Sequence, residues 1–147
     1  MKKLVILRGL PGCGKSTYIR DNYPGATPYS LAPKGWETVV VSGDHYFTDF
    51  VTGEYNFDIT MAGAAHQQAM SQCLRAMHKE VPTILVDNTN TRAWEWAHYL
   101  TMAEVFGYEV EVIDLFDGGA TDEELAERGI HDVPLEFIQR MRMRWEK

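Results

Sequence analysis

Apolar positions fall into short continuous runs and longer spaced stripes that alternate along the chain. Leu4-Val5-Ile6-Leu7 is an unbroken apolar run and predicts a buried strand. Gly12 to Tyr23 reads as a turn followed by a helix, which Pro24 stops. The Gly, Pro and Ser content of Gly25 to Gly35 predicts a loop. Thr38 to Val41 is a second, β-branched strand. Ser42 to Asp58 mixes aromatic, Asp and Gly residues without a period and reads as an ordered loop with room for a helical turn. Thr60 to Lys79 is a long helix: Met61, Ala65, Ala69, Cys73 and Met77 recur at i+4, with Ala62, Met70 and Leu74 beside them. Thr83 to Val86 is a third buried strand. Asn90 to Phe106 is helical, with Ala93, Trp96, Ala97, Leu100 and Ala103 on one stripe and Gly107 as the stop. Val110 to Phe116 is a fourth strand. Thr121-Asp122-Glu123-Glu124 is a capping box opening a short helix that Gly129 ends. Pro134 opens a last helix to about Trp145, with Leu135, Ile138, Met141 and Trp145 as its buried stripe.

Strands alternating with helices build a mainly parallel sheet covered on both faces, an α/β architecture of three layers. No repeat, low-complexity segment or linker divides the chain, so 1–147 is expected to form a single domain.

Composition narrows the function. At 45% hydrophobic and 24% charged residues, the chain is a packed globule and not a disordered tail. Its net charge of −7 disfavours a passive nucleic-acid coat, which needs broad positive potential, and leaves room for a locally basic site. Two cysteines, Cys13 and Cys73, make neither a disulfide framework nor a zinc spacing. The first residues lack a signal-peptide core, and no run reaches the ~18 apolar residues of a membrane helix. A soluble, cytoplasmic protein without membrane partners is expected; oligomeric state is left open.

The sharpest chemical signal is Gly9-Leu10-Pro11-Gly12-Cys13-Gly14-Lys15-Ser16, which fits G-x-x-x-x-G-K-[ST] at every defined position, between a strand and a helix. Glycines let backbone N–H groups turn inward around phosphate oxygens, and the following helix aims its N-terminus at the same anion. Lys15 can reach the β- and γ-phosphates of ATP, the Ser16 hydroxyl can bind Mg²⁺, and Thr17 can add a phosphate contact. Cys13 reads as a small loop residue and not as a nucleophile.

Two carboxylates stand at strand ends, where α/β sheets place ligands. Asp87 closes the third predicted strand and can hold Mg²⁺ or its water; its Asn-Thr-Asn surroundings equally suit a turn or helix cap. Asp44 follows the second strand and can orient an acceptor hydroxyl and take its proton, or can serve only its own turn. Neighbouring His45 would point elsewhere on an extended backbone.

Taken in order, the phosphate loop, Ser42-Gly43-Asp44-His45-Tyr46-Phe47, Gly53-Glu54-Tyr55-Asn56-Phe57-Asp58, Ala65-His66, Val86-Asp87-Asn88-Thr89-Asn90-Thr91, Trp94-Glu95, Gly107-Tyr108-Glu109-Val110, Leu125-Ala126-Glu127-Arg128 and Ile130-His131-Asp132-Val133-Pro134 resemble the kinase domain of the 5′-hydroxyl polynucleotide kinases and its kinase-like ATPase relatives. The resemblance runs from about Lys3 to Glu146. It implies a P-loop kinase fold with a four- or five-stranded parallel sheet. It also implies transfer of the ATP γ-phosphate to a 5′-hydroxyl end of RNA or DNA. Lys15 and Ser16 become ATP–Mg²⁺ ligands and Asp44 the general base. Asp87, Asn88, Thr89 and Asn90 match the segment near the acceptor's terminal nucleotide. Arg128 matches a catalytic lid arginine, in a lid of approximately 118–133.

The chain departs from that pattern where the phage enzymes carry an arginine three residues after the matching Asp; Phe47 stands there. The lid pattern Arg-Asn reads Arg128-Gly129, the Gly25–Gly35 loop looks longer, and no 3′-end processing is expected from these residues. Arg128 equally suits a solvated helix face. Arg140, Arg142 and Arg144 spread around the last helix and read as a solvated face. Tyr46, Tyr55 and Phe57 lie beside Asp44 and suit either base stacking or local packing. Trp96 and His66 read as packed residues, and His78, His98 and His131 form no ligand spacing. Two other functions stay open: a kinase acting on a small nucleotide or metabolite, and a nucleotide-binding ATPase or adaptor.

Overall fold

The computed structural model describes residues 1–129 and 131–147. Among the described residues five strands, β1 (Lys3–Gly9), β2 (Thr27–Pro28), β3 (Thr38–Val41), β4 (Thr83–Asp87) and β5 (Glu109–Phe116), form one parallel sheet in the order β2-β3-β4-β1-β5. Five helices connect and cover them: α1 (Lys15–Asn22), α2 (Ala62–His78), α3 (Ala93–Phe106), α4 (Asp122–Arg128) and α5 (Leu135–Met143). This is a P-loop kinase-like α/β fold, with the phosphate loop leaving the central strand.

The two-residue period of the strands divides the core. Leu4, Ile6, Val39, Val41, Ile84 and Val86 face Cys73, Ala76 and Met77 of α2 and Tyr99 and Ala103 of α3. Their neighbours Val5, Leu7, Val40 and Leu85 face the other way, against Tyr18 and Ile19 of α1. Burial on both faces explains why these strands read as continuous apolar runs. A third cluster, Leu10, Cys13, Ala120, Leu125 and Ile138, roots the phosphate loop in α4 and α5.

Several boundaries move, each for a local reason. The Gly25–Gly35 loop contains β2, an edge strand that pairs Thr27 with Val39 and Pro28 with Val40. Proline is tolerated there because an edge position needs no ladder N–H on its open side. Helix α3 starts at Ala93 because Asn90 sits at φ 49° and its side-chain amide donates to the Leu7 carbonyl (2.8 Å). The buried side of α3 carries Tyr99 and Ala103, with Trp96 packed against them, whereas Ala93, Ala97 and Leu100 are exposed. Apolar residues surround this helix, including the exposed Trp94 and Val105, so its sequence does not mark a face. In α2 the stripe Ala65, Ala69, Cys73 and Met77 is buried, joined by Gln72 and Ala76; Met61 and Leu74 are exposed.

Candidate functional site

The phosphate loop hangs between two strand ends. Gly9 N–H donates to the Thr89 carbonyl (3.1 Å) and Leu10 N–H to the Phe116 carbonyl (2.8 Å). Gly14 caps α1 at φ 109°, and no side chain caps that helix end. The first-turn amides of a helix have no partner within it, so those after Gly14 are available to an anion. Nothing lies within 4 Å of where a Cβ on Gly14 would stand. Gly12, at φ 80°, is needed for a second reason: a Cβ there would strike the Leu125 carbonyl of α4. The loop and α4 are therefore in backbone contact.

Lys15 reaches back across the loop, its Nζ donating to the carbonyls of Gly9 (2.8 Å) and Leu10 (3.4 Å). The side chains of Ser16 and Thr17 are exposed at the start of α1, and Pro11 is half-buried. Cys13 is buried, and burial pushes its thiol up, so it stays protonated. The loop thus offers an open, uncapped helix tip with an ammonium at hand, which suits a nucleotide phosphate group.

Asp44 is placed from the neighbouring strand end. Gly43 N–H donates to Asn88 Oδ1 (2.8 Å), joining the end of β3 to the end of β4. Ser42 Oγ accepts from Asp44 N–H (3.2 Å) and opens a 3-10 turn over Gly43–Phe47. Because the turn is not extended, His45 comes back toward the cleft, contrary to the expectation from sequence. It lines a cavity of about 290 Å³ with Ser16, Arg20 and Asp87. Burial lowers the pKa of the His45 imidazole and keeps it neutral.

An antiparallel bridge between Thr48 and Tyr55 folds the following loop onto Asp44. Tyr55 Oη donates to Asp44 Oδ1 (3.0 Å), while His131 Nε2 stands 3.6 Å from Asp44 Oδ2. The Tyr55 and His131 rings stack, with centroids 3.7 Å apart and planes 19° from parallel. Burial, and then the Asp44 charge, hold the Tyr55 hydroxyl well above its ordinary pKa. Phe47 packs edge-on against Tyr46, Tyr55 and Phe57, so the position that carries an arginine in the phage enzymes belongs here to an aromatic cluster. Tyr46 is exposed at the rim of that cluster.

Asp87 ends β4 beside Ser16 on the cavity wall. Burial raises its carboxyl pKa, Lys15 opposes that shift and the Asp44 charge adds to it. The three groups therefore share one electrostatic neighbourhood. Among the described residues no group of three His, Cys, Asp or Glu could hold a metal. Ser16 and Asp87 supply two hard oxygens, which suits Mg²⁺ completed by phosphate and water. Asn88 and Asn90, expected near an acceptor, are both buried, and their side chains bond the backbone of Gly43 and Leu7. Thr89 contributes its carbonyl to Gly9.

Arg128 ends α4 half-exposed, 3.8 Å from Glu124 Oε2 one turn back. A surface pair at that distance holds the guanidinium loosely. Ile130, part of the motif quoted from the sequence, lies outside the described residues.

Three arginines carry unforeseen structural roles. Arg142 donates to Asp122 Oδ1 (2.7 Å), Asp117 Oδ2 (2.7 Å) and the Ala120 carbonyl (3.1 Å), and lies over the Phe116 ring. Arg144 donates to Thr91 Oγ1 (3.2 Å). Arg142 corrects the solvated-face reading of α5, whereas Arg140 and Arg144 are exposed. Arg8 is 3% exposed, lies over the Trp96 and Trp145 rings, and bonds Asp114 and the carbonyls of Asn90, Thr91 and Glu146. No spacing signal marks such a residue; its partners are 82 to 138 positions away.

Fold and site together define a P-loop nucleotide-binding protein of the kinase-like α/β type. The model of a family described as AAA domain matches residues 4–147, and the chain belongs to that family. Human NEDD4-binding protein 2 is 38% identical over 143 residues, covering 94% of this chain and 7% of that protein. Two solved structures share the fold. One is the Pnkp1/Rnl/Hen1 RNA repair complex, with a TM-score of 0.66 and 18% identity over 97% of this chain and 43% of that one. The other is a Pnkp1/Rnl/Hen1 complex, with a TM-score of 0.57 and 19% identity over 86% and 38%. This chain thus spans a small part of the human relative and about two-fifths of the structural neighbours. Among the described residues no helix is long and apolar enough to cross a membrane.

Proposed function

We propose that this chain is an ATP-dependent phosphotransferase acting on a 5′-hydroxyl end of RNA or DNA. The observation that carries the reading is the cavity wall shared by Ser16, at the start of α1, and Asp87, at the end of β4, with Asp44 on the turn that follows β3. The phosphate loop offers its amides and Lys15 to the triphosphate. Ser16 and Asp87 would hold Mg²⁺, which would neutralise charge on the phosphates. Asp44 orients the acceptor hydroxyl and takes its proton. The acceptor oxygen bonds to the γ-phosphorus as the bond to the β–γ bridging oxygen breaks, and ADP leaves. Lys15 and Arg128 stabilise the spread charge, since positioning and electrostatics supply most of the catalysis in this reaction. The region 118–133 acts as the lid. The fold shared with Pnkp1 in an RNA repair complex supports a nucleic-acid acceptor.

A second reading rests on a specific feature. Residues 42–61 carry Asp44, Asp49, Glu54 and Asp58 and no lysine or arginine. An acidic approach disfavours a long polyanion and favours a small acceptor, or a strand touched only at its end. Labelled ATP offered to 5′-hydroxyl RNA and DNA oligonucleotides, to mononucleotides and to no acceptor separates the two. Labelled oligonucleotides are expected. Label on mononucleotides alone, or only free phosphate, overturns the polynucleotide reading.

A further inference from the structure

The Asp44 carboxylate is faced from two sides, by Tyr55 and by His131. Tyr55 Oη bonds Oδ1, and His131 Nε2 faces Oδ2 at 3.6 Å. His131 is only 24% exposed, although it lies on a turn near the surface. Its ring stacks flat on Tyr55, and its Nδ1 is buried without a partner among the described residues. The paired nitrogen is thus the one aimed at Asp44. The segment carrying it is held to the phosphate loop, because Val133, two residues on, packs against the cluster of Leu10, Cys13 and Leu125.

We propose that His131 is the positioning residue for Asp44, and that through it the seating of Val133 on the phosphate-loop cluster sets the orientation of the acceptor-side carboxylate. This rests on the reading of Asp44 as the base. A carboxylate on an exposed 3-10 turn would otherwise sample several rotamers, and misplacement by 1 Å costs about a hundredfold in rate. Tyr55 alone holds one oxygen. The imidazole standing against the other oxygen restricts that motion and leaves one orientation in which an oxygen lone pair faces the hydroxyl. Base and phosphate loop are then aligned through one apolar cluster, because Val133 beside His131 packs with Leu10 and Cys13.

The test compares His131→Ala, His131→Gln and His131→Phe in steady-state transfer, each checked by thermal melting. The glutamine amide nitrogen falls near the place of Nε2 and keeps a donor; phenylalanine keeps the stack and loses the donor. Alanine and phenylalanine are expected to lower kcat about tenfold to a hundredfold with the KM for ATP within about twofold. Glutamine is expected to recover most of kcat. If alanine does not fold, the glutamine and phenylalanine pair decides alone. The same substitutions in an Asp44→Asn background should have little further effect, because the group they position is already disabled. Recovery by phenylalanine and not glutamine, full activity in all three, or an undiminished loss in the Asp44→Asn background overturns the proposal. An Asp44→Asn variant that transfers at the wild-type rate instead defeats the base assignment beneath it. Wild-type protein that transfers nothing defeats both.

Discussion

The two sides of the cleft are built by different means. The phosphate loop is made by eight consecutive residues, and its working parts are backbone amides, glycine dihedrals and one lysine that bonds the loop's own carbonyls. The acceptor side is assembled from three distant stretches: Ser42 to Thr48, Tyr55 and His131, with Asn88 holding the first in place from β4. A local device tolerates change elsewhere in the chain. An assembled one depends on every strand end and turn that contributes to it. The donor half should therefore be most sensitive at its own residues, whereas the acceptor half should fail at positions that touch no substrate.

Four substitutions probe that contrast, in order of expected effect. Lys15→Ala removes the ammonium from the cradle and should cut transfer by about 10³-fold, read as kcat/KM for ATP, with the melting temperature nearly unchanged. Arg128→Ala should lower kcat by about 10²-fold and weaken ATP binding less, measured by transfer rate against nucleotide titration; an equal loss in both would make Arg128 a binding residue only. Asn88→Ala leaves the buried Gly43 N–H without its acceptor and should cost roughly 1–3 kcal/mol of stability, seen in chemical denaturation, together with a loss of kcat. That paired loss is the signature of the assembled side.

The smallest effect concerns pH. The Arg142 hydrogen bond, and then the Gly119 N–H, hold the Asp117 carboxyl below its ordinary range. A carboxyl depressed in the folded state stabilises the protein above its unfolded pKa and loses that contribution as pH falls through the folded value. The wild type should therefore lose melting temperature more steeply than Arg142→Met as pH is lowered below about 4. Equal slopes would mean that the Arg142 fastening of α5 to Asp117 and Asp122 adds no stability.

Legibility followed the same division. The phosphate loop and four of the five strands stand out in the sequence because glycine spacing and buried parallel strands leave contiguous marks. Strand β2 did not, since two residues next to a 3-10 turn carry no period. The buried face of α3 was misplaced because Trp94, Leu100 and Val105 are apolar yet exposed. At the site, Asp44 and Asp87 stand out as carboxylates at strand ends and Ser16 as a member of the phosphate-loop motif, but the pairing of Asp44 with Tyr55 and His131 leaves no such mark. It joins residues 11 and 87 positions away, and no periodicity reports such a contact. His131 was read as a histidine without ligand spacing, which is true of the sequence and silent about a stack. The scaffolding roles of Arg8, Asn88 and Arg142 were hidden for the same reason.

Whether loop and carboxylate serve one transfer is decided by Asp44→Asn assayed beside the wild type with labelled ATP and a 5′-hydroxyl oligonucleotide. The variant is expected to bind ATP with unchanged affinity and to lose about 10²–10⁴-fold in label transfer. Transfer at the wild-type rate with Asp44 disabled would show that they do not.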